Sequence, residues 1–342
     1  MKILPLCFAR TNAWTCPLPF SVIHSNHLSQ GGVHILDINY ELYKVFYHVA
    51  STLSFSEASK QLFISQSAVS QSIKVLEKKL NQTLFIRSTK RVLLTPEGEI
   101  LLKHVEPAMN LIRQGENQLL ESNSLNGGQL RIGASDTICR YFLVPFLKEF
   151  HTLYPNIHIK VTNRTSIECA RLLENGQVDF IITNYPNSAL GGTQNVRVLR
   201  DFSDVFVANE TYFPLKDQRI PLRKLQHYPI LMLDRKSTTS EFLHTMFQKH
   251  QLDLVPEIEL SSNDLLIDLA RIGLGIAFVP DFGIPAGEQE LFCLRLEEEL
   301  PPRQLVVVCN ETLPISQAAR QFMELLENGS RTSQAPAQEM PG

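Results

Sequence analysis

The stretch SQSAVSQSIKVLEKKL, residues 65–80, predicts a short helix with two very different faces. At about 100° per residue, Val69, Ile73, Leu76 and Leu80 form one aliphatic stripe. The opposite face contains no acid and carries Ser67, Ser70, Gln71, Lys74 and Lys78. An ordinary solvated face would explain this set, but serine is a weaker helix former than Glu, Lys or Ala. A face that closely approaches another polar surface explains the choice better.

The segments on either side extend this helix into a small module. A helix is predicted over 40–51, and a second over 54–62 opens with a capping box of Ser54 and Glu57. A tight turn at 63–65 then leads into the quoted stretch, which makes a helix-turn-helix. Next, LFIRSTKRVLLT at 84–95 reads as two short strands around a basic tip, a wing.

Charge is concentrated in this module. Residues 37–96 hold eight Lys or Arg against four Asp or Glu, an excess of four positive charges, whereas the whole chain of 342 residues has a net charge of −3. The distribution indicates a basic module on an acidic body, which favours a nucleic-acid partner.

The run from residue 55 to residue 102 contains a recognisable set of residues at fixed spacing: Ala58, Leu62, Ser65, Gln66, Ala68, Val69, Ser70, Ile73, Leu76, Glu77, Leu84, Phe85, Arg87, Leu94, Thr95 and Gly98. With these residues in register, the run resembles the DNA-binding domain of the LysR-type transcriptional regulators. Two positions depart from the family pattern, since Ser67 stands where proline is common and Gln71 where arginine is common. Gln71 is therefore expected to pair with adenine rather than guanine.

The exposed face of this helix is expected to enter the major groove of double-stranded DNA. Base edges are assigned to Gln66, Ser67 and Gln71. Phosphates are assigned to Ser65, Ser70, Lys74, Arg87, Lys90 and Arg91.

A helical pattern follows over 96–123. Its apolar or small residues alternate steps of four and three, as in a coiled coil: Leu101, Val105, Ala108, Ile112, Gly115 and Leu119. Packing on its own domain is the alternative. The family resemblance favours a dimerisation helix, and it implies a homodimer or homotetramer on an operator with two half-sites.

Strands and helices alternate from residue 129 to 328, which predicts α/β lobes with parallel sheets. This region resembles the two-lobed, periplasmic-binding-protein-like effector domain of the same regulators. Lobe one is expected over 129–205 and 308–330, lobe two over 206–307, and a disordered tail over 331–342. The predicted fold is thus a winged helix-turn-helix domain (37–95), a linker helix (96–123) and this effector-binding domain (129–328).

Four turns follow predicted strands and carry hydroxyls or amides where an α/β sheet binds ligands. The candidate effector contacts are Ser135, Asp136, Thr137, Thr165, Ser166, Ser237, Thr238, Ser262 and Asn263. Each is also explained as a helix N-cap. Helix dipoles suit an organic acid or anion, while Asp136 favours a ligand with an amine or hydroxyl.

Other function classes find less support. The α/β body contains neither a nucleophile-elbow motif nor a Gly-rich phosphate motif, which argues against an enzyme. A solute-binding module without DNA contact would leave the basic module unexplained. The six scattered cysteines and the absence of an apolar run of about 18 residues favour a cytoplasmic protein with reduced thiols and neither metal nor cofactor. A redox pair of Cys139 and Cys169 is the one alternative there. The family resemblance implies that the protein is bacterial.

Residues 1–36 show no helical or strand period and make a poor signal peptide. The DNA that encodes Gly31, Gly32 and Val33 can contain a ribosome-binding sequence, and the codon for Leu36 can be TTG, which is a start codon in some bacteria. Initiation at Leu36 is therefore expected, with 1–36 an unstructured or misassigned extension.

Overall fold

The computed structural model describes residues 37–87, 91–121, 128–192, 194–285, 287–311 and 313–333. The expected extension at 1–36, the wing-tip residue Lys90 and residues 334–342 of the expected tail lie outside these ranges. None of the described helices is both long and apolar enough to cross a bilayer.

Three helices open the described chain: α1 Tyr40–Thr52, α2 Phe55–Leu62 and α3 Gln66–Leu80. A side-chain N-cap starts each of them, at Asn39, Ser54 and Ser65. The predicted capping box forms only in half. Ser54 Oγ accepts the Glu57 N–H at 3.2 Å, but the Glu57 carboxylate pairs with Lys60 at 3.3 Å instead of reaching back.

The wing consists of strands β1 Phe85–Arg87 and β2 Val92–Leu94, which pair antiparallel with Phe85 opposite Leu94. Its first strand packs on the helices, because the Phe85 ring lies 5.5 Å from that of Phe46 and 5.8 Å from that of Phe55. The predicted aliphatic stripe of α3 is confirmed for Val69, Ile73 and Leu76, which are fully buried, while Leu80 at its end is half-buried.

Helix α4 Pro96–Glu121 follows directly and continues through Pro107. One side of it packs against its own chain. There the Asn110 amide donates to the Asn175 carbonyl at 2.6 Å and the Gln114 amide to the Gly176 carbonyl at 3.3 Å. Half of the predicted coiled-coil seam is exposed, namely Ala108, Ile112 and Leu119, whereas Val105 is buried. The helix therefore packs on its own chain, as the alternative expected, and dimerisation through the exposed residues stays a prediction.

The first lobe is built on a five-stranded sheet in the order β4-β3-β5-β14-β6. Its elements are β3 Gly128–Ala134, the three-residue turn α5 Asp136–Ile138, a π-helical turn Cys139–Leu143, α6 Val144–Leu153, β4 Ile157–Asn163, α7 Ser166–Glu174, β5 Phe180–Tyr185, β6 Gln194–Phe202, β14 Arg303–Asn310 and α10 Gln317–Ser333. Because α10 ends at Ser333, residues 331–333 of the expected tail are helical.

The second lobe has a sheet in the order β10-β9-β11-β7-β12 and a small pair of β13 and β8. Its elements are β7 Asp204–Asn209, β8 Arg219–Ile220, a 3-10 turn Leu222–His227, β9 Ile230–Leu233, α8 Thr238–Lys249, β10 Ile258–Leu260, α9 Asn263–Arg271, β11 Ile276–Pro280, a 3-10 turn Asp281–Gly283, β12 Leu291–Cys293 and β13 Arg295–Leu296.

Both large sheets are mixed rather than purely parallel. Strand β14 runs antiparallel to β5 and β6, and β7 runs antiparallel to β11 and β12. The chain crosses between lobes just before β7 and again just before β14, so the expected boundaries at 205/206 and 307/308 fall inside these strands. The sequence pattern missed this because a returning strand looks like any other buried strand.

Each sheet buries apolar side chains on both faces. In the first lobe one face packs under α10 with Phe322 and Leu326, and the other under α7 with Cys169 and Leu173. The second lobe repeats this arrangement with α8 and α9. Sheets covered on both faces leave the carboxyl ends of their parallel strands as the place for a site.

Candidate nucleic-acid interface and ligand cavity

The face of α3 opposite its buried stripe is exposed, and it carries Gln66, Ser67, Gln71 and Lys74. Glutamine amides both donate and accept hydrogen bonds, as base edges require, and the Lys74 ammonium can approach a phosphate. The buried stripe fixes the helix while leaving these side chains free to reach outward.

The start of α3 is polar as well. The Ser65 Oγ accepts the Ala68 N–H at 3.2 Å and lies 2.9 Å from the Ser67 Oγ. This hydroxyl pair sits at the positive end of a helix of 15 residues. An anion such as a DNA phosphate is stabilised at that end.

Arg87, expected at a phosphate, is engaged within the module. Its guanidinium donates to Ser70 Oγ at 3.0 Å, lies 3.6 Å from a Glu77 oxygen and stacks 4.4 Å from the centroid of the Phe55 ring. Glu77 in turn accepts the Leu84 N–H at 2.9 Å. The bond between Arg87 and Ser70 thus connects the wing to α3. Arg91 is exposed immediately before β2.

A cavity of about 260 Å³ lies between the two lobes, at the carboxyl ends of strands from both sheets. It is lined by Ser135, Asp136, Thr137, Ile138, Asn163, Arg164, Thr165, Ser166, Glu168, Asn184, Leu233, Asp234, Ser237, Thr238, Thr239, Ser261, Asn263, Pro280 and Phe282. This volume is roughly that of nine water molecules in the liquid, which suits a small organic molecule.

Eight of the nine predicted effector contacts line this cavity, and Ser262 does not. Ser262 is the N-cap of α9 and accepts the Leu265 N–H at 3.3 Å, while its neighbour Ser261 lines the cavity. The cap explanation also holds at Thr165 and Ser237, whose hydroxyls accept N–H groups of α7 and α8. Ser135 makes no side-chain cap bond.

Sequence reasoning missed several polar lining residues, chiefly Asn163, Arg164, Glu168, Asn184 and Asp234. Asn163 and Asn184 lie at the carboxyl ends of β4 and β5. A polar residue at the end of an otherwise apolar strand was a signal that could have identified Asn184.

Hydrogen bonds cross between the lobes beside the cavity. The Asn263 amide donates to Thr137 Oγ1 at 2.8 Å, and Ser188 Oγ donates to Glu241 at 3.0 Å. The Tyr141 hydroxyl donates to Asp264, and burial together with this bond raises the pKa of Tyr141 to about 12. These three bonds hold the lobes together around the cavity.

A buried ion pair lies where the chain crosses between the lobes. Arg303 and Asp204, the first residues of β14 and β7, are joined at 2.8 Å, and Arg303 also lies 3.3 Å from Thr239 Oγ1. Burial raises the pKa of the Asp204 carboxyl, and the Arg303 guanidinium opposes that shift. One guanidinium thus contacts both crossover strands and a residue that lines the cavity.

The two cysteines considered as a redox pair have free thiols. Burial raises the pKa of Cys139 to about 11 and that of Cys169 to about 12. The thiolate is the reactive form of cysteine, so both side chains are poor candidates for a redox switch.

Comparison with known proteins identifies both parts of the chain. Residues 40–99 match the model of the bacterial regulatory helix-turn-helix proteins of the lysR family, and residues 123–331 match the LysR substrate binding domain. A probable RuBisCO transcriptional regulator of Gracilaria tenuistipitata var. liui is 30% identical over 278 residues, which cover 79% of this chain and 89% of that protein.

Two solved structures are similar as well. A full-length OxyR variant of Pseudomonas aeruginosa superposes with a TM-score of 0.63 at 18% identity, covering 86% of this chain and 95% of that one. The Synechocystis CcmR regulatory domain in complex with 2-PG superposes with a TM-score of 0.55 at 22% identity, covering 63% and 99%. The winged helix-turn-helix, the two-lobed α/β body and both family models agree, and the chain belongs to the LysR family of bacterial transcriptional regulators.

Proposed function

We propose that this regulator binds operator DNA through the exposed face of α3 and responds to a small molecule held between its lobes. The observation that carries the proposal is the acid-free polar face of α3 over a fully buried stripe, with the wing fastened beside it by Arg87. A helix supported in this way presents its side chains at a fixed depth in the major groove.

Within this proposal the contacts divide into two kinds. Gln66, Ser67 and Gln71 read base edges, and the remaining polar residues bind phosphates: Ser65, Ser70, Lys74, Arg87, Lys90 and Arg91. Arg87 does so with the guanidinium N–H groups that its bonds within the module leave available.

The domain limits proposed are 37–95 for DNA binding, 96–123 for the linker helix and 129–328 for effector binding. The exposed apolar side of α4 would pair two chains, so that a homodimer or homotetramer covers an operator with two half-sites. Because its proposed partner is DNA, we propose that the protein acts in the cytoplasm as a regulator rather than an enzyme.

The proposed effector site is the cavity between the lobes. Its support is the position at the carboxyl ends of both sheets and the number of polar side chains that converge there. The solved CcmR regulatory domain, similar in fold, was obtained in complex with 2-PG, which supports a ligand site in this kind of domain.

DNA binding is tested by fluorescence anisotropy with the full chain and the DNA upstream of its own gene. Lys74→Ala should weaken binding to all DNA sequences and reduce the slope of log K against log salt by about 1, because one phosphate contact releases about one counterion. Lys44→Ala is the matched control, since Lys44 is on α1 and pairs with Glu41 at 3.4 Å. Absence of binding at low salt would instead favour a solute-binding module.

A further inference from the structure

The cavity between the lobes contains a buried amide that the protein itself does not satisfy. Asn184 is 7% exposed, and its side chain makes no hydrogen bond to any described residue. Asn263 also lines the cavity and bonds Thr137 through one end of its amide, while the other end has no partner there. Buried amides without partners cost free energy, so they are expected where a ligand completes them.

A neighbouring asparagine shows the contrast. Asn187 lies three residues further on and is 6% exposed, but its amide donates to the Ser166 carbonyl at 3.1 Å and to Thr183 Oγ1 at 3.0 Å. Its oxygen accepts the Ala189 N–H at 3.0 Å. The chain satisfies one buried asparagine completely, whereas the side-chain oxygen of Asn184, a residue of the cavity lining, has no partner among the described residues.

The cavity lining contains more acidic than basic side chains. Three carboxylates face one cation, since Asp136, Glu168 and Asp234 line the cavity with Arg164 alone against them. Arg164 is exposed and donates to the Asn163 carbonyl at 2.7 Å. A ligand with two negative charges would therefore meet net repulsion, whereas an ammonium group would be attracted.

The first turn of α8 can bind one negatively charged group of a ligand. Ser237, Thr238 and Thr239 line the cavity at the N-terminus of this 12-residue helix. The N–H groups of a first helical turn have no partner within their helix, and they attract a carboxylate. The lining thus combines helix N–H donors with carboxylate acceptors, and Asp234 lies just before the start of α8.

We propose that the effector is a small amino acid, with its ammonium group toward the carboxylates and its carboxylate toward the start of α8. In this arrangement the Asn184 amide completes its hydrogen bonds on the bound molecule. The inference rests on the proposed function, because it takes the cavity as the effector site.

The test is a thermal-shift and calorimetry screen of the full chain with single amino acids. Each is compared with the corresponding acid in which hydrogen replaces the amino group, such as propionate for alanine, and succinate and inorganic phosphate serve as dianions. At least one amino acid should raise Tm and bind at least tenfold tighter than its deaminated analogue. Binding of succinate or phosphate alone, or of no amino acid, would overturn the inference.

Variants then locate the ligand. Asp234→Asn should weaken amino-acid binding at least tenfold, while Asp253→Asn, on an exposed loop outside the lining, should leave it unchanged. Asn184→Leu should abolish binding yet raise the Tm of the ligand-free protein, because an unsatisfied amide is removed. Asn187→Leu should lower that Tm. A drop in Tm for Asn184→Leu would show a structural role and contradict the proposal.

DNA anisotropy on the same samples separates the two levels. An unmodified chain that binds operator DNA but no amino acid would overturn the ligand class alone. Absence of operator binding would overturn the proposed function itself.

Discussion

Gln71 is the residue at which base reading can be tested most directly. It lies on the exposed face of α3, one turn from Ser67 and Lys74. A bidentate amide–adenine pair is worth roughly 1–3 kcal/mol of discrimination. Gln71→Ala should therefore weaken operator binding by about tenfold or more, while the affinity for random DNA and the salt slope stay nearly unchanged.

Two controls accompany this variant in the same anisotropy titration. Gln82→Ala makes the same chemical change beyond the end of α3 and should be silent. Val69→Asp places an unpaired charge in the buried stripe and should abolish all binding through misfolding. Equal losses on operator and random DNA for Gln71→Ala would contradict base reading by this residue.

Phe63 has a left-handed backbone in the turn of the helix-turn-helix. It ends α2 with φ of 54°, in the left-handed region, and its side chain is 94% exposed. That conformation costs a non-glycine residue roughly 1–2 kcal/mol, and little packing is at stake. Phe63→Gly should therefore raise the Tm measured by calorimetry, and Phe63→Ala, which keeps the strain, should not. A lower Tm for the glycine variant would show that the ring contributes packing.

At the scale of elements, α4 has an outward apolar side that a partner helix can bury. Ile112 is 56% exposed there, while Asn110 and Gln114 bond to the chain's own effector lobe. Ile112→Asp should shift the protein toward the monomer in sedimentation equilibrium, because it places a charge in the proposed seam.

The matched control is Val255→Asp, which makes a similar change at an exposed aliphatic residue in the second lobe. It should leave the oligomeric state unchanged. An Ile112→Asp protein that still sediments with wild-type mass would place the subunit contact elsewhere.

Elements whose signal is local were predictable from sequence. The stripe of Val69, Ile73 and Leu76 repeats within one helix, so its periodicity alone identified the buried face of α3. The capping box was predicted to be complete but forms only in half, because Lys60, one turn further on, competes for the Glu57 carboxylate. Local competition of this kind leaves the element in place and changes only its terminus.

The arrangement of the whole molecule was harder to predict, for a different reason. Arg303 and Asp204 are 99 residues apart in sequence and meet only because both crossover strands pass the same point. The cavity residues Asn184 and Asp234 likewise come from different sheets. No periodicity connects such positions, so the sequence located the turns around the cavity but not their partners.

The ion pair at the crossover makes a prediction for the stability of the whole body. Arg303 is 1% exposed, and removing one partner of a buried pair costs roughly 3–5 kcal/mol. Arg303→Met should thus lower the Tm strongly, whereas the double variant Asp204→Leu/Arg303→Met should recover most of the loss. Nearly additive losses in the double variant would contradict coupling between the two residues.

The single variant should also acquire a characteristic pH dependence. Burial raises the pKa of Asp204, so the folded state of Arg303→Met binds a proton that the unfolded chain releases above about pH 4. Its stability, relative to wild type, should therefore rise as pH falls toward about 4, where the carboxyl of the unfolded chain also takes up a proton. A Tm difference that is independent of pH would show that Asp204 does not titrate in that range.

The bonds across the cavity, from Thr137 to Asn263 and from Ser188 to Glu241, have a consequence for kinetics. The lining of the cavity comes from both lobes, so a bound molecule contacts both of them while these bonds keep the lobes together. Release of the molecule should therefore be faster when the lobes separate more often. In a stopped-flow displacement experiment, Ser188→Ala, which removes one of the bonds, should shorten the residence time of the bound molecule.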